Sequence, residues 1–142
     1  MFIGQYEHSL DEKNRLFIPA KFRHGQQEFI VTRGLESCLF LFTKETWQQI
    51  TEKLNALPLT KPEARSFIRL FASGAQDCDV DDQGRILVPK ILKEYAVIRK
   101  QATVIGVINR IEIWDTQKWN KFYKTAKPKY EHIAEKLTEL GI

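Results

Sequence analysis

The strongest constraint on this chain is that it repeats itself. The segment DEKNRLFIPAKFR, beginning at Asp11, returns as DDQGRILVPKILK, beginning at Asp81. Asp11 matches Asp81, Arg15 matches Arg85, Ile18 matches Val88, Pro19 matches Pro89 and Gly4 matches Gly74, all 70 positions apart. Gly34 then pairs with Gly106, Leu39 with Ile111, Leu41 with Ile113 and Trp47 with Trp119, now 72 positions apart. The second copy therefore carries two extra residues, expected in a loop. Chance rarely gives so many matches in one order, so a repeat architecture is expected. Each copy spans about forty residues, close to the lower limit for an independent core. Two such units are expected to share one core about a pseudo-two-fold axis.

Within each copy the pattern reads β-β-α-β-β, an α+β fold. Tyr6 to Leu10 is β-like, and Leu16, Phe17 and Ile18 form a continuous apolar run ended by Pro19, which predicts a buried strand. In the second copy Cys78 to Val80 and Ile86 to Val88 do the same before Pro89. Asn14 and Gly84 hold one position in the intervening turns. These two residue types most readily take a positive φ, while Asp11 and Asp81 are placed to bond amides of their own turns. Short helices are predicted at Ala20–Arg23 and Lys90–Tyr95, just after the prolines. Hairpins follow, one around Gly34 and one around Asn109. Trp47, Ile50, Leu54 and Leu57 recur at helical spacing. Thr60 and Glu63 read as a capping box before Ala64, Phe67, Ile68 and Phe71. Trp119, Phe122 and Tyr123 mark a third helix, Pro128 interrupts it, and Ile133, Leu137 and Leu140 suggest a fourth. The domains are thus a first repeat at 5–47, a linking helical hairpin at 48–75, a second repeat at 76–119 and a helical tail at 120–142.

Composition narrows the function classes. With 43% hydrophobic and 28% charged residues, a globular core is expected. The formal charge of +4 permits nucleic-acid binding without requiring it. Cys38 and Cys78 form no C-x-x-C pair and read as buried thiols. Neither a secretory apolar region nor a membrane-length apolar run is seen, which points to a cytoplasmic setting with no membrane partner. His8, His24 and His132 are dispersed, and no nucleophile elbow, phosphate-binding glycine loop or metal-spaced cluster appears. The expectation is a non-enzyme with no cofactor, metal or small-molecule substrate.

The paired D-x-x-x-R motifs, each followed by an apolar run and proline, resemble the AbrB and SpoVT type of DNA-binding domain. Two copies together with GQYEH, RGLESCLFLF and GVINRIEIWD resemble the MraZ family from about Phe2 to Trp119. Asn14 departs from the glycine that Gly84 supplies in the second copy. The resemblance implies a swapped-hairpin β-barrel built from two SpoVT-AbrB type units. It also implies a transcriptional regulator that represses its own division and cell-wall gene cluster. Such a regulator binds tandem promoter repeats in double-stranded DNA as a ring-shaped homo-oligomer and is nucleoid-associated.

The candidate DNA-binding residues are Lys13, Asn14, Arg15, Gln83, Gly84 and Arg85, with Asp11 and Asp81 orienting the loops. An arginine offers two parallel donors to guanine O6 and N7, or grips a phosphate. Lys21, Arg23, Lys90 and Lys93 are candidates to widen the basic face. The competing reading is that Arg15 and Arg85 simply form ion pairs with Asp11 and Asp81, and both readings can hold together. A rival function is a ring-forming protein-interaction module without specific DNA binding, which the aromatic helices would suit.

Overall fold

The computed structural model describes residues 1–141. The first copy contains β1 (Phe2–Ser9), β2 (Arg15–Phe17), α1 (Ala20–Arg23), β3 (Glu28–Arg33) and β4 (Leu39–Thr43). Helices α2 (Lys44–Asn55) and α3 (Pro62–Ser73) lead to the second copy. This contains β5 (Gln76–Asp79), β6 (Arg85–Leu87), α4 (Lys90–Ala96), β7 (Gln101–Ile108) and β8 (Ile111–Asp115). The chain ends in α5 (Thr116–Ala126), a 3₁₀ turn at Lys127–Lys129, α6 (Tyr130–Lys136) and a second 3₁₀ turn at Thr138–Leu140. The β-β-α-β-β reading of each copy matches this order. Ile142, the last residue of the predicted tail, lies outside the described residues.

The copies exchange strands. β1 of the first copy pairs antiparallel with β7 of the second, and β5 of the second pairs with β3 of the first. At the centre β4 pairs with β8, with Phe40 opposite Glu112, Leu39 opposite Ile113 and Leu41 opposite Ile111. That register is symmetric about Phe40 and Glu112, which places the pseudo-two-fold axis there. The result is a six-stranded sheet in the order β1-β7-β8-β4-β3-β5, with β2 and β6 forming a separate two-stranded ribbon. The predicted barrel is thus not closed by hydrogen bonds. β1 and β5 remain sheet edges, and the exchange of strands between copies is what the pairing displays.

The sheet separates two apolar layers by side-chain alternation. Leu39 and Leu41 point into a core shared by both copies, with Leu16, Ile18, Phe22 and Phe29 from the first and Ile86, Val88, Leu92 and Ile113 from the second. Phe40 and Phe42 point to the opposite face, where Phe71, Trp114, Trp47 and Trp119 join them. Helices α2, α3 and α5 supply the cover on that side. Trp47 stacks on Phe71 with ring centroids 5.4 Å apart, tying α2 to α3. Thr43 caps α2 by accepting from the Thr46 amide at 3.1 Å, and the equivalent Asp115 caps α5 by accepting from the Lys118 amide at 3.3 Å.

Three local expectations are corrected. The second copy's helix is three residues longer, and its following hairpin connection one shorter, which gives the net gain of two; the gain is in a helix, not a loop. α1 has four residues and stops at left-handed His24, whereas α4 has seven and stops at left-handed Val97. The capping box at Thr60 and Glu63 does not form. Pro62 holds the first helical position and keeps Lys61 extended, so Lys61 becomes the N-cap and Thr60 falls outside. The run from Leu16 to Ile18 is not buried throughout. Leu16 and Ile18 are fully buried, but Phe17 is 36% exposed and its counterpart Leu87 is 59% exposed, because the ribbon has a core on one face only.

Cys38 and Cys78 are unpaired and buried, as predicted. Burial in apolar surroundings pushes both thiols up, that of Cys78 to about 12. Neither thiol will react with a disulfide reagent at pH 8 until the protein is unfolded, as absorbance of the released thiolate will record. Because both copies share one core, Leu41→Ala will lower stability by about 2–5 kcal/mol. Tryptophan fluorescence and far-UV circular dichroism will still report a single coincident unfolding transition.

Candidate nucleic-acid interface

The two Asp-to-Arg loops are built alike from their own side chains. Asp11 Oδ1 accepts from the amides of Lys13 and Arg15, each at 2.9 Å, and Asp81 Oδ1 accepts from Gln83 and Arg85, again at 2.9 Å. The Asn14 amide donates to the Asp11 carbonyl at 3.0 Å and the Gly84 amide to the Asp81 carbonyl at 3.0 Å. These bonds force a left-handed residue just before each arginine. Asn14 has φ 60° and Gly84 φ 80°. A Cβ at Gly84 would lie 3.0 Å from Phe17 Cε2 and 3.2 Å from Arg23 Cζ, so a side chain there would strain the left-handed backbone and require both neighbours to shift by a few tenths of an ångström. At Asn14 the side chain has room, and its Oδ1 accepts from Lys93 Nζ at 2.8 Å.

Each aspartate also holds its arginine. Arg15 Nε donates to Asp11 Oδ2 at 2.7 Å, and Arg85 Nε donates to Asp81 Oδ2 at 3.0 Å. Arg85 Nη1 additionally lies 3.6 Å from Asp11 Oδ2, so both arginines converge on one carboxylate. The ion-pair reading is therefore correct as geometry. It occupies Nε, and among the described residues the Nη groups of Arg15 and Arg85 donate no hydrogen bond to protein. The end of the Arg15 guanidinium thus keeps the two parallel donors that a guanine edge or a phosphate accepts, while at Arg85 the Nη1 donor also faces the Asp11 carboxylate.

Main-chain pairing between copies fixes where those ends point. Arg15 lies opposite Leu87, Leu16 opposite Ile86, and Phe17 opposite Arg85. The Ile18 amide donates to the Gly84 carbonyl and the Val88 amide to the Asn14 carbonyl, each at 2.9 Å, which extends the ribbon by a pair at both ends. Leu16 and Ile86 face inward and are buried, so Arg15, Phe17, Arg85 and Leu87 share the outward face. Lys13 and Gln83 stand exposed at the loop tips. Each loop is also braced by the other copy, since Lys93 reaches Asn14 while Arg23 sits beside Gly84 and 5.7 Å from the Phe17 ring. Lys21 and Lys90 are exposed on the adjoining helices.

The ribbon thus brings the candidates Asp11, Lys13, Asn14, Arg15, Asp81, Gln83, Gly84 and Arg85 to one place. Two features escaped sequence reading. Exposed Phe17 and Leu87 were hidden in a run of three apolar residues, although strand alternation from Arg15 and Arg85 signals them. The bracing of each loop by the opposite copy leaves no trace in sequence. Among the described residues no group of three or more His, Cys, Asp or Glu side chains is placed to share a metal ion. Among the described residues no helix is long and apolar enough to cross a membrane.

Amide bonds from Arg15 and Arg85, followed by other loop contacts, hold the Asp11 and Asp81 carboxyls below the ordinary carboxylate range. A lowered folded-state pKa contributes stability that is present above the unfolded value, about 3.9, and is lost as pH falls through the folded one. Urea unfolding will show Asp81→Asn less stable than the parent at pH 7. The difference will shrink as pH falls below about 4, where the parent carboxylate protonates too.

The comparison with family models agrees with this twofold construction. The model described as MraZ protein, antitoxin-like, matches the chain twice in succession, over residues 1–70 and again over residues 71–140. With both matches together spanning almost the full length, and the same loop built in each, the chain belongs to the MraZ family.

Proposed function

We propose that this protein is a sequence-specific DNA-binding transcriptional regulator that binds tandem promoter repeats as a ring-shaped homo-oligomer and represses its own division and cell-wall gene cluster. The observation that carries the reading is the outward ribbon face. There two arginines are anchored through Nε, and their Nη groups donate no hydrogen bond to the described residues, although Arg85 Nη1 lies 3.6 Å from Asp11 Oδ2. Under this reading Arg15 and Arg85 contact base edges, and Lys13, Asn14, Gln83 and Gly84 approach the duplex beside them. Asp11 and Asp81 orient the loops. The units at 5–47 and 76–119 are the two SpoVT-AbrB type domains, joined by 48–75 and followed by the tail at 120–142. The resemblance to DNA-binding domains and the antitoxin-like family description support a regulator. The protein works in the cytoplasm at the nucleoid, without catalysis.

Charge explains why the ring belongs in the proposal. The acids Glu12 and Asp82 are exposed in the loops, which leaves the first loop neutral and the second net negative despite their arginines. Attraction to the duplex then falls to the surrounding Lys21, Arg23, Lys90 and Lys93, and a single ribbon cannot hold DNA strongly. Non-specific electrostatic binding is of order 10⁻⁴ to 10⁻⁶ M. Several ribbons on tandem sites gain by effective concentration.

A second reading, a ring-forming protein-interaction module, is favoured by the tail. Phe122, Tyr123, Tyr130 and Ile133 line a groove of about 690 Å³ and stay partly exposed.

Gel-shift titration with the DNA just upstream of the protein's own gene separates the two. Arg15→Ala and Arg85→Ala will each weaken specific binding about tenfold or more at fixed salt, while size-exclusion chromatography shows the oligomer unchanged. Equal affinity of parent and variants at matched salt leaves only the interaction module.

A further inference from the structure

Resting on the DNA-binding reading, we infer that Leu87 and Phe17 are specificity residues that contact the C5 methyl groups of thymines next to the guanines met by Arg15 and Arg85.

The first support is exposure where burial was expected. Leu87 is 59% and Phe17 36% exposed, on a ribbon whose other apolar side chains, Leu16 and Ile86, are fully enclosed. Both residues occupy the same position of their copies, so the exposure is built twice.

The second support is register. The extending bonds at Ile18–Gly84 and Val88–Asn14 put the hydrogen-bonded pairs at alternate positions that include Leu16–Ile86. Arg15–Leu87 and Phe17–Arg85 therefore fall at the non-hydrogen-bonded positions, where opposed side chains approach most closely, with Cβ atoms about 4.5–5.5 Å apart. Successive bases of a strand are about 3.4 Å apart. A side chain beside the arginine therefore reaches the base pair next to the one that the arginine meets.

The third support is complementarity. In the major groove, guanine offers two acceptors and thymine an apolar methyl, and the groove admits a two-stranded ribbon. The outward face offers the opposite pattern, a guanidinium end beside an apolar side chain, once in each opposed pair. The two apolar positions are not equal. Phe17 is pinned by His8, with ring centroids 5.0 Å apart, and by Arg23 above its ring. Leu87, opposite Arg15 and the more exposed of the two, carries the clearer test.

The test uses the full-length protein and the duplex upstream of its own gene. Each thymine of the repeats is replaced in turn by deoxyuridine, which keeps the pairing and the O4 acceptor and removes only the methyl. Affinities are measured at one salt concentration for the parent, Leu87→Ala, Phe17→Ala and Arg85→Ala. At one or two thymines beside a guanine the parent will lose about threefold to fivefold per site, the value of one buried methyl. Leu87→Ala will bind the natural duplex as weakly as the parent binds the deoxyuridine one, and will lose nothing more on methyl removal. Phe17→Ala will do the same at its own thymine, and thermal unfolding will show both variants folded. Parent binding indifferent to every methyl, or Leu87→Ala retaining the parent's full methyl dependence, overturns the inference while leaving arginine-dependent binding intact. Affinity unaffected by Arg85→Ala, or no specific binding by the parent, overturns the DNA-binding reading and this inference with it.

Discussion

The pairing of β2 with β6 across the two copies is the interaction on which the rest of the molecule depends. Neither strand has a partner within its own copy, and each copy alone holds about forty residues, too few to enclose a core. Exchange answers both needs. The ribbon satisfies its own backbone groups while pressing Leu16 and Ile86 into the shared core. The same logic carries β1 to β7 and β5 to β3, so most of the sheet is made of bonds between copies. A consequence is that the two loops cannot be built independently. The first loop is braced by Lys93 of the second copy, and the second sits against Arg23 of the first.

Electrostatics within the loops follow from one economy of groups. Asp11 uses one oxygen on two amides and the other on guanidinium, and Asp81 does likewise. Such carboxylates stay ionised because every contact favours the charged form. They hold the arginines by Nε, while the Nη groups donate no hydrogen bond to the described residues. An ion pair and a recognition role are thus compatible here. The pair removes rotamer freedom that binding would otherwise have to remove, the usual benefit of a preorganised site.

The six-stranded sheet divides the protein into two working sides. One side carries the ribbon and its short flanking helices over the shared core. The other carries the aromatic layer beneath α2, α3 and α5, and the exposed apolar tail continues from α5. Under the proposed reading, DNA contact and self-association use different surfaces, so the protein can bind a duplex without dismantling an assembly.

Much of this was legible in the chain itself. The repeat, the β-β-α-β-β order, both Asp-to-Arg loops, the left-handed residues at Asn14 and Gly84 and the buried thiols all rest on local chemistry. That chemistry comprises turn hydrogen bonds, φ preference, proline placement and apolar periodicity. Helix details were less secure where a neighbouring residue overrode a motif, as Pro62 displaced the cap from Thr60. What only tertiary structure decided was partnership. Whether a strand pairs within its copy or with the other one depends on which arrangement encloses more apolar surface, and no short segment records that choice. The open edges at β1 and β5 were settled the same way. So was the face shared by Arg15, Phe17, Arg85 and Leu87, because side-chain direction is local but the strand lying opposite is not.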